Sequence, residues 1–230
     1  MGVRDGATAK KSVLLRLAAA AAHATTASAT TAVFDVQTPG PNASAGTSQA
    51  YTNNGLTITA SGFASNGGAA TTLFDKSNGG DENGLGLTDD PSGDNEITGT
   101  NFVQIDVTAI PGFLTDAFSF QMGSSTGGEE WKVFGSNTAG SFSGSALVTG
   151  TDELAHGLTS GFKYYDFETP GTLCPGSVDF CGSGNTLIHT FTAVTAVPEP
   201  ATWAMMLLGI GGLGATLRMS RKSAGAAALA

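Results

Sequence analysis

Between Ala32 and Val197 no stretch holds a helical period for several turns, and this constrains the 230-residue chain more than any other feature. Alternation with a period of two recurs instead, the spacing that sends successive side chains to opposite faces of a strand. Val103, Ile105 and Val107 alternate with Gln104 and Asp106, and Phe118, Phe120 and Met122 with Ser119 and Gln121. Leu56, Ile58 and Ala60 alternate with Thr57 and Thr59. Residues 33–36, 70–75, 131–134, 146–148, 164–167 and 186–194 read as further strands between glycine-containing turns. The 76–99 stretch, rich in Gly, Asp and Asn, reads as the longest loop. Many short strands without helices between them predict an all-β fold, an antiparallel two-sheet sandwich of the jelly-roll kind.

The charge is as uneven as the pattern. From Ala32 to Val197 three lysines (Lys76, Lys132, Lys163) stand against 17 acidic residues, a net charge of −14. So acidic a body lacks the cations that neutralise phosphates, which excludes nucleic acid as a partner. Seven of the acids fall between Asp75 and Glu96. Calcium takes about six to eight oxygen ligands, and a glycine-rich loop can wrap carboxylates around it. Asp89, Asp90, Asp94 and Glu96 are therefore candidate donors to a structural Ca²⁺, the competing expectation being a solvated acidic loop. Their spacing matches neither an EF-hand nor a calcium-binding nonapeptide repeat.

The two ends of the chain read as addresses. Lys10 and Lys11 precede an apolar, alanine-rich run that finishes in small residues at Ala27-Ser28-Ala29, the pattern of a secretory signal peptide over 1–29. Near the other end Trp203 to Leu217 is 15 residues without a charge, followed by Arg218, Arg221 and Lys222 as membrane-stop cations. As a helix this run covers roughly 23 Å, short of the ~30 Å hydrocarbon core, so it predicts a marginal transmembrane helix with a short cytoplasmic tail at 223–230. Pro198 and Pro200 flank Glu199 and hold the chain before it extended and accessible. Physics alone allows a plain C-terminal anchor.

The order Pro198-Glu199-Pro200, two residues, Trp203-Ala204, a glycine-rich apolar run and a basic cluster resembles the PEP-CTERM sorting signal in its PEPxxWA variant, over 198–222. The resemblance implies recognition and processing by exosortase, a membrane-embedded cysteine transpeptidase of Gram-negative bacteria that make exopolysaccharide. It implies export through the Sec translocon and signal peptidase, a transient stay in the inner membrane, and delivery to the envelope or extracellular matrix. Two departures from the pattern stand in the basic cluster, which Met219 and Ser220 interrupt, and in the eight residues that follow it. The Gly209 to Gly214 stretch fits GxGxxG, but it lies in an apolar run rather than between a strand and a helix, so it is no dinucleotide fingerprint. The segment Gly84 to Asn137 more loosely resembles ectodomains carried by PEP-CTERM proteins, which are similar to galactose-binding-like sandwiches.

The 30–197 body offers little chemistry. Cys174 and Cys181, separated by six residues, are a candidate disulfide in an oxidising compartment or a pair of free thiols. Glu129 and Glu130 are adjacent, so on a strand they point to opposite faces and cannot flank one glycosidic bond. His156 and His189 have no motif around them. Trp131, Tyr164 and Tyr165 are the aromatics able to stack on a sugar, with core packing the first expectation for Trp131. The expectation is a non-enzymatic exported surface or matrix protein associated with exopolysaccharide or biofilm, with no assigned catalytic residue. The alternatives are a carbohydrate-binding module and, less favoured, a secreted hydrolase.

Overall fold

The computed structural model describes residues 29–37, 42–79, 82–99, 101–125, 129–170 and 184–195, together with Leu207 and Ile210. Among the described residues the chain forms fourteen strands. They are β1 (Thr30–Asp35), β2 (Ala43–Gly46), β3 (Ser48–Asn53), β4 (Leu56–Phe63), β5 (Ala70–Thr71), β6 (Leu73–Ser77) and β7 (Asn83–Leu87), followed by β8 (Phe102–Asp106), β9 (Ala117–Gly123), β10 (Trp131–Ser136), β11 (Val148–Gly150), β12 (Ala155–Leu158), β13 (Tyr164–Glu168) and β14 (Leu187–Thr195). One sheet runs β12-β9-β14-β7-β6-β2, with β1 also on β14; the other runs β11-β10-β13-β8-β4-β3, with β5 on β4. Every pairing is antiparallel, and the two sheets pack as a sandwich.

The alternation seen in the sequence is the alternation of the core. Ile105 and Val103 sit opposite Tyr165 and Phe167 in register, and all four are fully buried. From the facing sheet Phe120 meets Trp131 edge-on at 5.3 Å and Phe167 at 5.1 Å between ring centroids. Each such side chain contributes roughly 1.5–3 kcal/mol by leaving water, and the rings add specificity of geometry. Trp131 satisfies its indole by donating Nε1–H to the carbonyl of Asp152 at 2.9 Å.

Four strands escaped the pattern reading, and the expected 76–99 loop is the clearest correction. β7 occupies its middle, with the sequence Asn-Gly-Leu-Gly-Leu. Its glycines lower strand propensity but are needed here, because a Cβ at Gly86 would overlap the backbone of Asn95 and Glu96, and one at Gly84 that of Ile188. β2, β3 and β12 are short edge or near-edge strands whose exposed faces carry no apolar alternation.

The first and last strands close the fold on each other. β1 and β14 pair from Thr30↔Thr195 to Asp35↔Thr190 without a register shift. The outer edge of β1 is blunted by two side-chain amides, Asn53 Nδ2 donating to the Val33 carbonyl and Asn54 Nδ2 to that of Thr31, both at 2.8 Å. Ser28–Val197 is one compact unit.

Candidate functional site

The acidic stretch after β7 folds back over the outer face of the first sheet. Ile97 bridges to Thr186, which brings Glu96 above Lys76 on β6. The four candidate calcium donors have separate uses there. Asp90 accepts from Ser92 N–H (2.9 Å), Ser92 Oγ–H (2.7 Å) and Glu96 N–H (3.2 Å), the pattern of a self-capped turn. Asp89 accepts from Asn101 Nδ2 at 3.2 Å, Asp94 is exposed, and Glu96 is buried against the Lys76 ammonium. Among the described residues no group of three or more His, Cys, Asp or Glu is arranged to hold a metal ion.

Lys76 is the residue the sequence reading passed over. Only about 5 % exposed, it lies between Glu82 at 2.6 Å and Glu96, and Ser124 Oγ bridges the same two carboxyls at 2.9 and 3.1 Å. Burial alone would lower the lysine, yet its hydrogen bonds to both glutamates raise it. The Lys76 hydrogen bond holds Glu82 below the usual carboxylate range, whereas burial pushes Glu96 up to about 7 against the pull of the same ammonium. The available signal was a lone lysine beside Asp75 in an otherwise apolar strand.

The outer face of the second sheet is covered by a strap, residues 137–147 between β10 and β11. Phe63 and Phe102 stack at 5.1 Å, Phe102 meets the strap's Phe142 edge-on at 5.1 Å, and Phe142 stacks on Phe134 at 4.4 Å. Asn66 clamps the strap, donating Nδ2–H to the Phe142 carbonyl and accepting Phe142 N–H at 2.8 and 2.9 Å. Beneath it Gln104 accepts Gly140 N–H at 3.0 Å and donates Nε2–H to Asp166 Oδ1 at 2.6 Å. Asp166 is fully buried, its Oδ2 has no donor among the described residues, and burial pushes its carboxyl up to about 7.

The remaining candidates do not converge. Glu130 faces Lys132 at 3.5 Å, while Glu129 accepts Asn185 N–H at 3.4 Å. His189 lies 3.3 Å from the Asn83 carbonyl through Nδ1. His156 pairs with Asp152 at 2.7 Å and stacks on Phe120, and that hydrogen bond holds the Asp152 carboxyl low. Among the aromatics Trp131 and Tyr165 are fully buried, and Tyr165 donates its hydroxyl to the Thr159 carbonyl at 3.0 Å. Tyr164, half-buried, takes the opposite phase on β13 and looks outward.

The predicted disulfide Cys174–Cys181, the signal peptide and the C-terminal helix lie outside the described residues, apart from Leu207 and Ile210, both helical and exposed. Among the described residues no helix is long and apolar enough to cross a membrane. Comparison with known families finds a match to the PEP-CTERM protein-sorting motif over residues 196–222, which covers Pro198, Glu199, Pro200, Trp203, Ala204, Arg218, Arg221 and Lys222. No curated protein and no solved structure matches the chain. The motif starts at the residue after β14 ends, so the last strand of the sandwich leads directly into a sorting signal, and the chain carries a PEP-CTERM protein-sorting motif.

Proposed function

We propose that this is a non-enzymatic exported surface or matrix protein, carried across the inner membrane by its N-terminal signal and held there transiently by its C-terminal segment. An exosortase then processes it near Pro198-Glu199-Pro200, and it joins the envelope or the extracellular polysaccharide. The observation that carries this reading is the sorting motif placed directly behind a closed β-sandwich. Within this reading the sandwich is a jelly roll of the galactose-binding-like kind. Replacing Pro198, Glu199 and Pro200 by alanine and fractionating the native host tests it. The variant is expected to accumulate in the inner membrane, and delivery indistinguishable from the unaltered chain would overturn the proposal.

A carbohydrate-binding module is the second reading, favoured by Tyr164, which is turned outward on β13 beside Asp106 of β8. Loss of glycan-array signal in Tyr164→Ala with folding intact supports it, and an array silent for the unaltered protein counts against it.

A further inference from the structure

We infer that the cleft at the free edge of β10, between residues 135–143 and Phe162, binds an uncharged sugar unit of a polysaccharide. β11 pairs with β10 only from Trp131 to Val133, where Leu147 N–H also reaches the Val133 carbonyl at 2.7 Å. Beyond that point no strand among the described residues covers the edge. Alternate residues of an antiparallel strand turn their backbone groups to the same side, so Gly135, two residues past Val133, presents its N–H and C=O to the open edge. The space there is about 350 Å³, within the ~300–1,000 Å³ of small-molecule sites.

Its walls are of two kinds. Two half-exposed phenyl rings line it: Phe142, stacked on Phe134, and Phe162, which fills the space beside Gly135 where a Cβ would overlap the ring. The rest is hydroxyl and amide. Ser136 Oγ is engaged within the strap, with the carbonyls of Ser141 (2.5 Å) and Thr138 (3.0 Å), and Asn137 Oδ1 accepts Lys163 N–H at 3.3 Å. Asn137 Nδ2 and the hydroxyls of Thr138, Ser141 and Ser143 make no hydrogen bond to the described residues, and each can serve a ligand.

None of the lining residues is charged, in a body with 17 acids between Ala32 and Val197. A divalent cation favours carboxylates and an anion favours cations, while an acyl chain favours walls without hydroxyls. A pyranose ring has apolar C–H faces rimmed by hydroxyls that both donate and accept, and it matches paired phenyl rings with neutral donors and acceptors between them. The inference deepens the carbohydrate-binding reading and rests on it, but it places the ligand in the cleft rather than on the Tyr164 ring.

The test is affinity electrophoresis of the full-length chain in a non-sugar detergent, in gels containing dextran, galactan or mannan, with polygalacturonate as the charged counterpart. At least one neutral polymer is expected to retard the protein. Asn137→Ala and Phe162→Ala are each expected to weaken that retardation about tenfold, the equivalent of roughly 1.4 kcal/mol. Asn137 is exposed and gives up only one long hydrogen bond, so its variant is expected to fold even if Phe162→Ala does not. Retardation by none of the neutral polymers, or only by polygalacturonate, overturns the inference. So does retardation undiminished in Asn137→Ala, and in that case loss with Tyr164→Ala leaves the carbohydrate reading standing while removing the cleft.

Discussion

Glu96 and Asp166 are both buried on outer faces of the sandwich, and burial pushes both up to about 7, yet their neighbours are unlike. Glu96 shares an ammonium, Lys76, with Glu82, so its charge is compensated and its loop is tied down by an ion pair. Asp166 has one amide, Gln104, and lies under a strap held by stacked phenylalanines. Covering a sheet with a polar loop therefore needs a matched charge, whereas covering it with aromatic rings tolerates an uncompensated carboxyl at an energetic cost. The difference teaches that equal displacement of two carboxyls does not mean equal roles, and substitution should separate them by sign.

The largest effect is expected from Lys76→Met. Removing one partner of a buried pair leaves an uncompensated charge, which costs about 3–5 kcal/mol. Without the ammonium Glu96 rises further, so its folded form prefers to be protonated: the loss should be greatest at pH 8 and shrink toward pH 5.5. Denaturant midpoints at the two pH values measure it, and a pH-independent loss would break the comparison. On the aromatic side Phe102→Ala should cost about 3–5 kcal/mol by opening a cavity under the strap, with no such pH dependence.

Asp166→Asn should act in the opposite direction. The folded carboxyl titrates at about 7 rather than 3.8, so between those values the folded state holds a proton that the unfolded state has lost. Stability is then greatest below about pH 4, falls as pH rises toward 7, and stays low above it. The whole interval corresponds to about 4 kcal/mol at 1.36 kcal/mol per pH unit. An asparagine removes that penalty but buries an amide without an acceptor, at about 1–3 kcal/mol, leaving a net gain of about 1–3 kcal/mol at pH 8. Melting temperatures from pH 4 to 8 should fall less steeply in the variant, the slope due to Glu96 remaining; an unchanged slope would assign it wholly to other groups. Asn53→Ala should have the smallest effect, about 0.5–1.5 kcal/mol from one lost hydrogen bond, seen as faster amide exchange in β1.

Much of this fold was legible because its inward positions keep strict phase. Val103, Ile105 and Val107 were assigned to one face from alternation alone, whereas which of the adjacent Tyr164 and Tyr165 is buried follows only from the register of β13 on β8. The covered outer faces were harder to read. Phe63, Phe102 and Phe134 sit one residue out of phase with their inward neighbours, a signal of a second apolar layer that becomes interpretable only once Phe142 on the strap is seen above them. β7 was hidden because its glycines serve close approach of Asn95, Glu96 and Ile188, a requirement set by tertiary structure. The calcium reading took carboxylate density for convergence; the density is there, but Asp90 serves its own turn and Glu96 serves Lys76. The sorting motif was legible in full because its meaning lies in the order of residues.

The most direct test of the account is mass spectrometry of the terminal peptides of the protein recovered from its native host, with and without the exosortase. A mature chain that begins near Thr30 and ends near Pro198 only when the enzyme is present is the predicted result, leaving the paired strands β1 and β14 as the ends of the exported body. A chain that still ends at Ala230 in both strains would contradict it and make the C-terminal segment a permanent anchor.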